Sequence, residues 1–395
     1  MNVDAPPQER RGRHDPARPP LLLSVFPSFA VGGAQVRYTA LANRFGSHWR
    51  HAVVALDGQT GCAERFAPEV PFRLLPPPFA PGAGPTRRLL AMAAMLRRLR
   101  PAVLVTSNWG SIEFAMANLA VGVPHLHTED GFGPEERETQ LQRRVLARRL
   151  VLRRSLVVLP SATLARLAAE VWQLPPGRVR LIRNGIDLRH FNPNGKAPRD
   201  PAEAPVIGTV AALRPEKNVA RLLRAVALLH DEGTPARLLI LGDGPERPAL
   251  EELADSLGIG ACTQFLGHVA DPAEAYGMMD VFALSSDTEQ MPFAVLEAMA
   301  SGLPIASTDV GDVGLMLSDA NRPHLAALDD VALAAALRPL LLEPALRNAL
   351  GRANRGKVQL EHDEASMFAS HAALIDGLLH PGAEPQELQS SASET

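Results

Sequence analysis

The chain has 395 residues, 46% hydrophobic and 21% charged, with a formal net charge of −3, a composition that predicts a globular protein of about two domains. No segment has the length and apolarity of a membrane span, and two cysteines are too few for a cysteine metal cluster or a disulfide framework. The charge is uneven, because residues 1–192 carry a net +12 from 26 Arg and 14 acidic residues, whereas residues 193–395 carry a net −15. Such asymmetry is typical of a basic half that meets an anionic surface, or of an arginine-rich genome.

Both ends of the chain have the composition of disordered tails. Residues 1–19 are polar and rich in Pro and Arg, and residues 381–395 are also mostly polar. The apolar run Leu21–Phe26 is shorter than the core of a signal peptide, and Pro and Gly follow it. We therefore expect a cytoplasmic protein.

Between residues 20 and 192, patterns of buried strands alternate with helical patterns. The predicted strands are Leu21–Phe26, Ala52–Leu56, Ala102–Thr106 and Leu156–Leu159. The predicted helices are Ala34–Phe45, Arg87–Leu99 and Gln140–Arg154. This alternation predicts an N-terminal Rossmann-like domain, with helices on both faces of a parallel sheet.

A loop rich in Asn, Pro and Gly, Asn184–Pro205, separates this domain from a second alternation, and we place the interdomain linker at 193–205. The strands predicted within 206–362 are Val206–Ala211, Arg237–Leu241, Cys262–Leu266, Asp280–Leu284 and Pro304–Ser307. The helices predicted there are Asn218–His230, Arg247–Leu257, Phe293–Ala300, Asp329–Leu341 and Pro344–Asn354. We expect a second doubly wound domain, one cleft at the carboxyl ends of the two sheets, and a C-terminal helix at 363–380 that crosses back to the first domain.

Two glycine-containing loops follow predicted strands. Gly32 and Gly33 precede the first helix, and Gly242 and Gly244 follow the strand that ends at Leu241. Glycine lets a backbone approach a phosphate beside the amides of a helix start, although a tight turn accounts for either loop equally well. The three-glycine dinucleotide fingerprint is absent from both halves, which argues against a dehydrogenase.

Two cations, Arg214 and Lys217, follow the first strand of the second domain. At the mouth of the expected cleft they would neutralise a departing diphosphate. Solvated charges at a helix start are the simpler interpretation of the same residues.

The most informative stretch is 285–302, in which Glu289 and Glu297 are eight residues apart. Pro292 suits the first helical position and Gly302 suits a helix end, so Glu289 is predicted at the positive end of a helix and Glu297 on its body. Helix-start amides attract anions, and carboxylates accept hydrogen bonds from hydroxyl groups. The pattern predicts a site for a sugar joined to a diphosphate.

Taken together, these motifs resemble the retaining glycosyltransferases of the GT-B fold, in the large family 4 (glycosyl transferases group 1), over roughly Leu21–Leu379. The other elements of the resemblance are Asn184-Gly185-Ile186-Asp187, Phe265-Leu266-Gly267-His268-Val269 and Asp309-Val310-Gly311-Asp312. The resemblance implies an α/β protein with two doubly wound Rossmann-like domains facing a central cleft. It also implies a hexosyltransferase of the EC 2.4 class, which moves a sugar from a nucleoside-diphosphate sugar to a glycan or lipid-linked acceptor during polysaccharide, lipopolysaccharide or glycolipid synthesis.

The resemblance gives each matching residue a role. Lys217 would bind the donor diphosphate together with a nearby arginine, here Arg214. Glu289 would hold hydroxyls of the donor sugar, and Glu297 would accept hydrogen bonds from the ribose. The other donor contacts that it implies are Gly32, Gly33, Gly242, Asp243, His268, Val269, Met291, Pro292 and Phe293.

One histidine resembles the acceptor-side histidine of the family. It is His127, predicted to follow a short strand at the cleft face of the first domain, with Glu129 and Asp130 just after it. The choice between His125 and His127 depends on the register of that strand, and we prefer His127.

Two positions depart from the family pattern. Ala212 stands where an arginine is common, and Leu315 stands where a glutamate is common. Arg214 would then have to reach the phosphate from a different backbone position. The departures leave open a catalytically inactive subunit that binds sugar nucleotides, and an epimerase of the same fold is a further alternative.

No Asp-x-Asp triplet, the metal-binding motif of another transferase fold, is present. We therefore expect no metal and no other cofactor, since Lys217, Arg214 and helix amides would stabilise the leaving diphosphate. Retention of the anomeric configuration is implied by the resemblance. Front-face attack and a covalent intermediate on Glu289 are both conceivable, and we prefer the front-face route.

Arginine pairs at 143–144, 148–149 and 153–154 recur every five residues and so spread around the predicted helix Gln140–Arg154. Arginines also flank the helix Arg87–Leu99. Such helices can rest on anionic lipid headgroups, so we expect peripheral contact with the inner face of the plasma membrane, with a solvated surface as the alternative. No nucleic-acid module is recognisable and the net charge is negative, so no nucleic-acid partner is expected.

Overall fold

The computed structural model describes residues 18–132, 136, 140–193 and 203–380. The chain forms two compact units. The first ends at Thr128 and also includes Leu378–Pro381, and the second contains Glu129–Gly377. The predicted disordered tails, 1–19 and 381–395, and the predicted linker at 193–205 lie almost wholly outside the described residues. None of the described helices is long and apolar enough to cross a lipid bilayer.

Five parallel strands of the first unit lie in the order β3-β2-β1-β4-β5. The strands are β1 (Leu21–Phe26), β2 (Arg50–Ala55), β3 (Phe72–Leu75), β4 (Val103–Ser107) and β5 (His125–Thr128). The helices are α1 (Gly33–Phe45), α2 (Pro85–Leu99) and α3 (Ile112–Asn118). Because side chains alternate along a strand, Leu23 and Val25 pack with α2 while Phe26 packs against Phe29 and Phe66 on the other face. Each predicted strand and helix within 20–128 is confirmed to within two residues.

The second unit begins with the segment 129–193. This segment contains α4 (Gln142–Val151), β6 (Leu156–Leu159), α5 (Ala162–Glu170) and β7 (Val179–Leu181). Strands β6 and β7 pair in parallel. The predicted helix Gln140–Arg154 is α4 continued by one 3-10 turn, Leu152–Arg154.

A six-stranded parallel sheet in the order β10-β9-β8-β11-β12-β13 follows. Its strands are β8 (Val206–Val210), β9 (Arg237–Leu241), β10 (Thr263–Gly267), β11 (Val281–Leu284), β12 (Ile305–Thr308) and β13 (Leu325–Ala326). Its helices are α6 (Val219–Asp231), α7 (Arg247–Ser256), α8 (Ala273–Gly277), α9 (Phe293–Ala300), α10 (Val313–Met316), α11 (Asp330–Leu342), α12 (Pro344–Glu361) and α13 (Glu364–Leu379). The sheet is doubly wound: Ile207 packs with α6, α7 and α11 on one face, and Phe282 packs with α8 and α9 on the other.

The order of this sheet reverses at β8, which has β9 on one side and β11 on the other. In open parallel sheets, ligands bind beyond the carboxyl ends of the strands at such a switch point. The loops after β8 and β11 are therefore the place where the fold itself favours a ligand site.

The division into units differs from the predicted domain boundary at 193–205. Residues 129–193 belong to the second unit, where they contact the loops of the six-stranded sheet. Asp312, for example, accepts hydrogen bonds from the amides of Ala162 (2.5 Å) and Thr163 (3.0 Å). The chain near the predicted linker is also held, because the Asn184 Nδ2 donates to the Met291 carbonyl at 3.0 Å.

The predicted helix at 363–380 is confirmed as α13, whose start contacts the segment 184–186. Asp363 forms a bridge with Ile186, and His362 Nδ1 lies 2.9 Å from the Asn184 carbonyl oxygen. Gly185 permits this approach, since an added Cβ would lie 2.7 Å from the Glu364 Cα. The predicted crossing of this helix to the first domain stays a prediction.

Candidate functional site

The loop after β8 carries the two predicted cations. A single 3-10 turn, Pro215–Lys217, is followed by Asn218, whose left-handed backbone (φ 41°) begins α6 and whose side chain accepts from the Arg221 amide. Lys217 is half-buried at this turn, and Arg214 is exposed just before it. Both lie at the carboxyl end of a strand at the switch point.

The loop after β11 is joined to this turn by backbone and side-chain contacts. Ser285 Oγ donates to the Lys217 carbonyl at 3.1 Å, and the Asp287 amide donates to the Glu216 carbonyl at 2.9 Å. Asp287 also forms a buried ion pair with Arg221 at 2.7 Å. Because β8 and β11 are adjacent, parallel strands, their carboxyl ends place these loops side by side.

Lys217 and Glu289 meet between these loops. The Lys217 Nζ lies 2.7 Å from the Glu289 Oε1, and the Ser286 hydroxyl donates to the same oxygen at 2.7 Å. The Glu289 side chain is 9% exposed and that of Lys217 is 25% exposed. The pair therefore stands at the edge of the unit, where a polar ligand can reach it.

Glu297 lies on α9 and is held by a buried tyrosine. The Tyr276 hydroxyl donates to the Glu297 Oε2 at 2.7 Å. Burial raises the pKa of Glu297, and the Tyr276 hydrogen bond opposes this rise. The carboxylate keeps a second oxygen that can accept a hydrogen bond from a ligand hydroxyl.

The start and end of α9 differ in one detail from the prediction. Pro292 is the N-cap residue (φ −69°, ψ 128°) rather than the first helical residue, which is Phe293. Its extended backbone fits a cap because proline fixes only φ. Gly302 (φ 71°) ends the helix as predicted. Met291 is buried and Phe293 half-buried at the start of α9, beside the first free amides of the helix.

The glycines after β9 allow close packing of neighbouring loops. An added Cβ would lie 1.8 Å from the Ala211 carbonyl oxygen at Gly242, and 2.4 Å from the Leu213 carbonyl oxygen at Gly244. Asp243, between them, is exposed and accepts from the Gly244 amide through its side chain at 2.7 Å. These contacts explain the glycines without a ligand.

The loop after β10 carries the predicted base contacts. His268 is exposed, while Val269 packs against the core formed by α8 and α9. Gly267 (φ 73°), the last residue of β10, accepts a hydrogen bond from the Gly242 amide at 2.8 Å. The structure thus places His268 and Val269 on a loop that contacts the turn after β9.

Asp312 was part of a predicted motif without a role, and the structure gives it one. Its carboxylate binds the first two amides of α5, and the Ser161 hydroxyl, which caps the same helix, donates to the Gln290 Oε1 at 3.1 Å. Gly311 (φ 57°) lies close to Glu289, because a Cβ added at Gly311 would be 2.3 Å from the Glu289 carbonyl oxygen. Negative charge is favourable at a helix start, so Asp312 fixes the 289–312 loops against α5.

The first unit contains the remaining predicted residues, Gly32, Gly33 and His127. Gly32 is the N-cap residue of α1, with extended backbone, and Gly33 begins the helix. The Cβ that Gly32 lacks would lie 2.9 Å from the Gln35 Oε1. The two glycines therefore stand at a helix start, as predicted.

His127 lies within β5, which corrects its predicted position after a strand. It is fully buried, and its Nδ1 lies 2.8 Å from the Thr106 hydroxyl, which also lies 2.8 Å from the His125 Nε2. Burial, and then the charge of His127, lower the pKa of His125 to about 3. Both histidines point to one face of the strand because they are two residues apart.

Two departures from the family pattern are visible in the structure. Ala212 is exposed, and Leu315 is 53% exposed on α10. The Arg214 side chain, also exposed, makes no hydrogen bond or ion pair with the residues that the structure describes.

The sequence predicted no role for three of the supporting residues, although Asn184 stands in a quoted motif and Ser286 in the stretch 285–302. Tyr276, Ser286 and Asn184 bind the predicted site residues Glu297, Glu289 and Met291. A single tyrosine, serine or asparagine gives no sequence signal for the residue that it contacts, because the fold brings the two together. Within the described ranges, no cluster of three or more His, Cys, Asp and Glu is arranged as a metal site.

Family models match both halves of the chain. Residues 31–190 match "Glycosyltransferase Family 4", and residues 193–357 match "Glycosyl transferases group 1". Together the two matches span most of the chain, and they meet at the predicted linker.

Several curated proteins are similar in sequence. The putative glycosyltransferase EpsF of Bacillus subtilis is 37% identical over 139 residues, 33% of this chain and 36% of that protein. The lipopolysaccharide core biosynthesis glycosyltransferase LpsD of Rhizobium meliloti is 31% identical over 216 residues, 53% of this chain and 61% of that protein. The D-inositol 3-phosphate glycosyltransferase of Saccharomonospora viridis is 29% identical over 273 residues, 65% of this chain and 62% of that protein. The chain thus spans less than two thirds of the length of these relatives.

Solved structures share the fold over nearly the whole chain. HepE of Anabaena in complex with UDP has a TM-score of 0.73 at 16% identity, over 90% of this chain and 99% of that chain. WaaG, a glycosyltransferase involved in lipopolysaccharide biosynthesis, has a TM-score of 0.68 at 17% identity, over 90% of this chain and 100% of that chain. The chain has the GT-B fold and belongs to the glycosyl transferases group 1 of glycosyltransferase family 4.

Proposed function

We propose that the chain is a retaining glycosyltransferase that moves a sugar from a nucleoside-diphosphate sugar to a hydroxyl group of a glycan or lipid-linked acceptor. The observation that carries the proposal is the pair of Lys217 and Glu289, 2.7 Å apart where the strand order reverses. A cation for a diphosphate and a carboxylate for sugar hydroxyls are the two groups that such a donor needs side by side. Relatives such as LpsD, named for lipopolysaccharide core biosynthesis, support synthesis of a cell-surface polysaccharide or glycolipid.

In this proposal the donor lies along the loops after β8, β10 and β11. Lys217 and Arg214 bind the diphosphate, Glu289 and the amides of 291–293 hold the sugar, and Glu297 binds the ribose. The backbone of His268 and Val269 meets the base, with Gly242 and Asp243 beside it. The roles implied for Gly32, Gly33 and His127, all in the first unit, stay predictions.

The reaction breaks the bond between the anomeric carbon and the leaving phosphate oxygen and forms a bond from that carbon to the acceptor oxygen on the same face. The acceptor proton passes to the leaving phosphate. Lys217 and Arg214 stabilise the charge that develops on the diphosphate, so no metal is required. The Glu289 Oε1 is already bound by Lys217 and Ser286, an arrangement that suits a hydrogen-bonding group better than a nucleophile and favours front-face attack.

A second candidate is a catalytically inactive subunit that binds sugar nucleotides. It is favoured by the exposed Ala212 and Leu315, which stand where the family commonly has an arginine and a glutamate. Such a subunit would bind the donor without releasing nucleoside diphosphate when acceptors are added.

A thermal-shift screen against UDP-, GDP-, ADP- and dTDP-sugars tests the donor site. A ligand at a hundred times its Kd stabilises a protein by about 2.7 kcal/mol, so at least one donor should raise the Tm. Lys217→Ala should abolish the shift and Glu289→Gln should reduce it for sugar nucleotides. If no sugar nucleotide raises the Tm, or if both variants shift like the wild type, the proposal fails.

A further inference from the structure

The outward face of α4 carries exposed leucines among arginines. Leu146 is 55% exposed and Leu150 is 62% exposed. At 3.6 residues per turn, the exposed residues of the helix fall within an arc of about 120°. These residues are Gln142, Arg143, Leu146, Arg149 and Leu150.

The opposite face of α4 is held inside the second unit by buried ion pairs. Arg148 is fully buried and binds Glu136 at 3.1 Å and Glu129 at 3.2 Å, and its guanidinium lies 5.1 Å from the centre of the Trp172 ring. Arg144 binds Glu136 at 3.1 Å. The first two arginine pairs are therefore divided, one member inward and one outward, and the helix cannot turn its leucines into the core without breaking these pairs.

The charged side chains on the outward face of α4 are all cationic. Arg153 and Arg154, on the 3-10 turn that continues α4, are exposed like Arg143 and Arg149. No Asp or Glu occurs between residues 141 and 154. Exposed apolar side chains among cations, on a helix that carries no acid of its own, are typical of a helix that lies in a membrane interface.

We propose that the outward face of α4, together with Arg153 and Arg154, docks on an anionic lipid surface. Leu146 and Leu150 enter the boundary of the acyl chains, and the arginines pair with lipid phosphates. The inference rests on the proposed function in one respect: a lipid-linked acceptor would be presented at such a surface, at the inner face of the plasma membrane.

Charge complementarity favours a membrane over two other partners. A second copy of the same face would bring arginines against arginines, which repel. A nucleic acid would pair with the arginines but would gain nothing from the two leucines. An anionic bilayer accounts for both kinds of side chain.

Flotation with lipid vesicles tests the proposal on the full chain. We expect the wild type to float with vesicles of phosphatidylglycerol and phosphatidylcholine at low salt, and not with phosphatidylcholine alone. Arg149→Glu with Arg153→Glu, and separately Leu146→Ser with Leu150→Ser, should each lower the bound fraction roughly tenfold or more. The matched control is Arg178→Glu with Arg180→Glu, two exposed arginines of the same unit outside α4, which should leave binding unchanged.

Three results would overturn the proposal. They are an absence of wild-type binding to anionic vesicles, an equal loss in the control variant, and a wild-type dimer that the leucine substitutions dissociate. Each variant is first shown to keep the wild-type Tm and its shift with the sugar nucleotide found above. Because donor binding is measured without lipid, failure of membrane docking would be distinguishable from failure of the transferase assignment.

Discussion

Lys217 and Glu289 form an ion pair, with 2.7 Å between the ammonium nitrogen and the carboxylate oxygen. The two residues lie on loops that follow adjacent strands, β8 and β11, so the pair depends on strand order and not on sequence proximity. A donor diphosphate would compete with Glu289 for Lys217, and the sugar hydroxyls would then replace Lys217 at the carboxylate.

Glu289→Gln is expected to affect binding of the donor's sugar and binding of its diphosphate differently. The variant frees Lys217 from its partner, so the Kd for a plain nucleoside diphosphate should stay the same or decrease. The Kd for the matching nucleotide sugar should increase roughly tenfold or more, because hydrogen bonds to a charged group contribute about 1.5–3 kcal/mol. Calorimetric titration with both ligands measures this difference, and an equal weakening of both would show that Glu289 does not recognise the sugar.

Tyr276→Phe is expected to weaken donor binding through Glu297. Without the hydroxyl at 2.7 Å, burial would raise the pKa of Glu297 further, and the protonated acid accepts ribose hydrogen bonds poorly. Donor affinity should fall about tenfold near neutral pH, and the loss of affinity on acidification should begin at a higher pH than in the wild type. Titrations between pH 5 and 8 measure both effects.

Tyr38→Phe is the control for this variant, since it removes the hydroxyl of the other tyrosine of the chain. That hydroxyl lies 2.9 Å from the His51 Nδ1 in the first unit. If the loss of donor affinity on acidification began at the same higher pH in both variants, the role of Tyr276 in positioning Glu297 would be contradicted.

Asp312→Asn is expected to destabilise the second unit. The carboxylate accepts from two amides at the start of α5, whereas an amide side chain offers only one acceptor oxygen and no charge. The free energy of unfolding should fall by about 1–3 kcal/mol, measured by urea denaturation. Asp319→Asn, whose side chain is 88% exposed, should change it by less than about 0.5 kcal/mol, and equal effects would contradict the account.

Two buried histidines predict a loss of stability in acid. Burial lowers the pKa of His51 to about 4 and that of His125 to about 3, below the ordinary value near 6.5. As the pH falls below about 6.5, the unfolded chain binds protons that the folded chain does not. Each histidine should therefore lower the free energy of unfolding by about 1.4 kcal/mol for each unit that the pH falls. His51→Gln and His125→Gln should each reduce this slope between pH 6 and 5, and a slope unchanged in both would contradict the assignment.

The sequence predicted most of the regular structure because the parallel strands are buried. Leu21–Phe26 and Leu156–Leu159 are continuous apolar runs, and their observed bounds agree with the prediction. Strand β3 was missed because it is only four residues long and mostly exposed, so it carries no burial pattern. Helix α12 continues from the predicted end at Asn354 to Glu361, since Gly356 alone does not end it.

The site was predictable in its parts but not in its connections. Lys217 and Glu289 were assigned separately to one ligand, and their contact follows from the adjacency of β8 and β11, which no single sequence reveals. The same reason hides the role of Asp312, whose partners are 149 and 150 residues away along the chain. Periodicity predicted α4 but not the inward direction of Arg148, because its partners Glu129 and Glu136 come from another segment.

The most direct test of the account is the release of nucleoside diphosphate on addition of acceptor, with the donor found by thermal shift, for the wild type and Lys217→Ala. Loss of a charge-stabilising donor typically lowers turnover about a hundredfold to a thousandfold, so the variant should show that loss while EDTA leaves the wild type unchanged. Lys357→Ala, which removes a lysine bound to the carbonyls of Leu315 and Leu317, is the control and should keep its turnover. Turnover that survives Lys217→Ala, or that EDTA abolishes, would contradict a site in which fixed cations stabilise the leaving diphosphate.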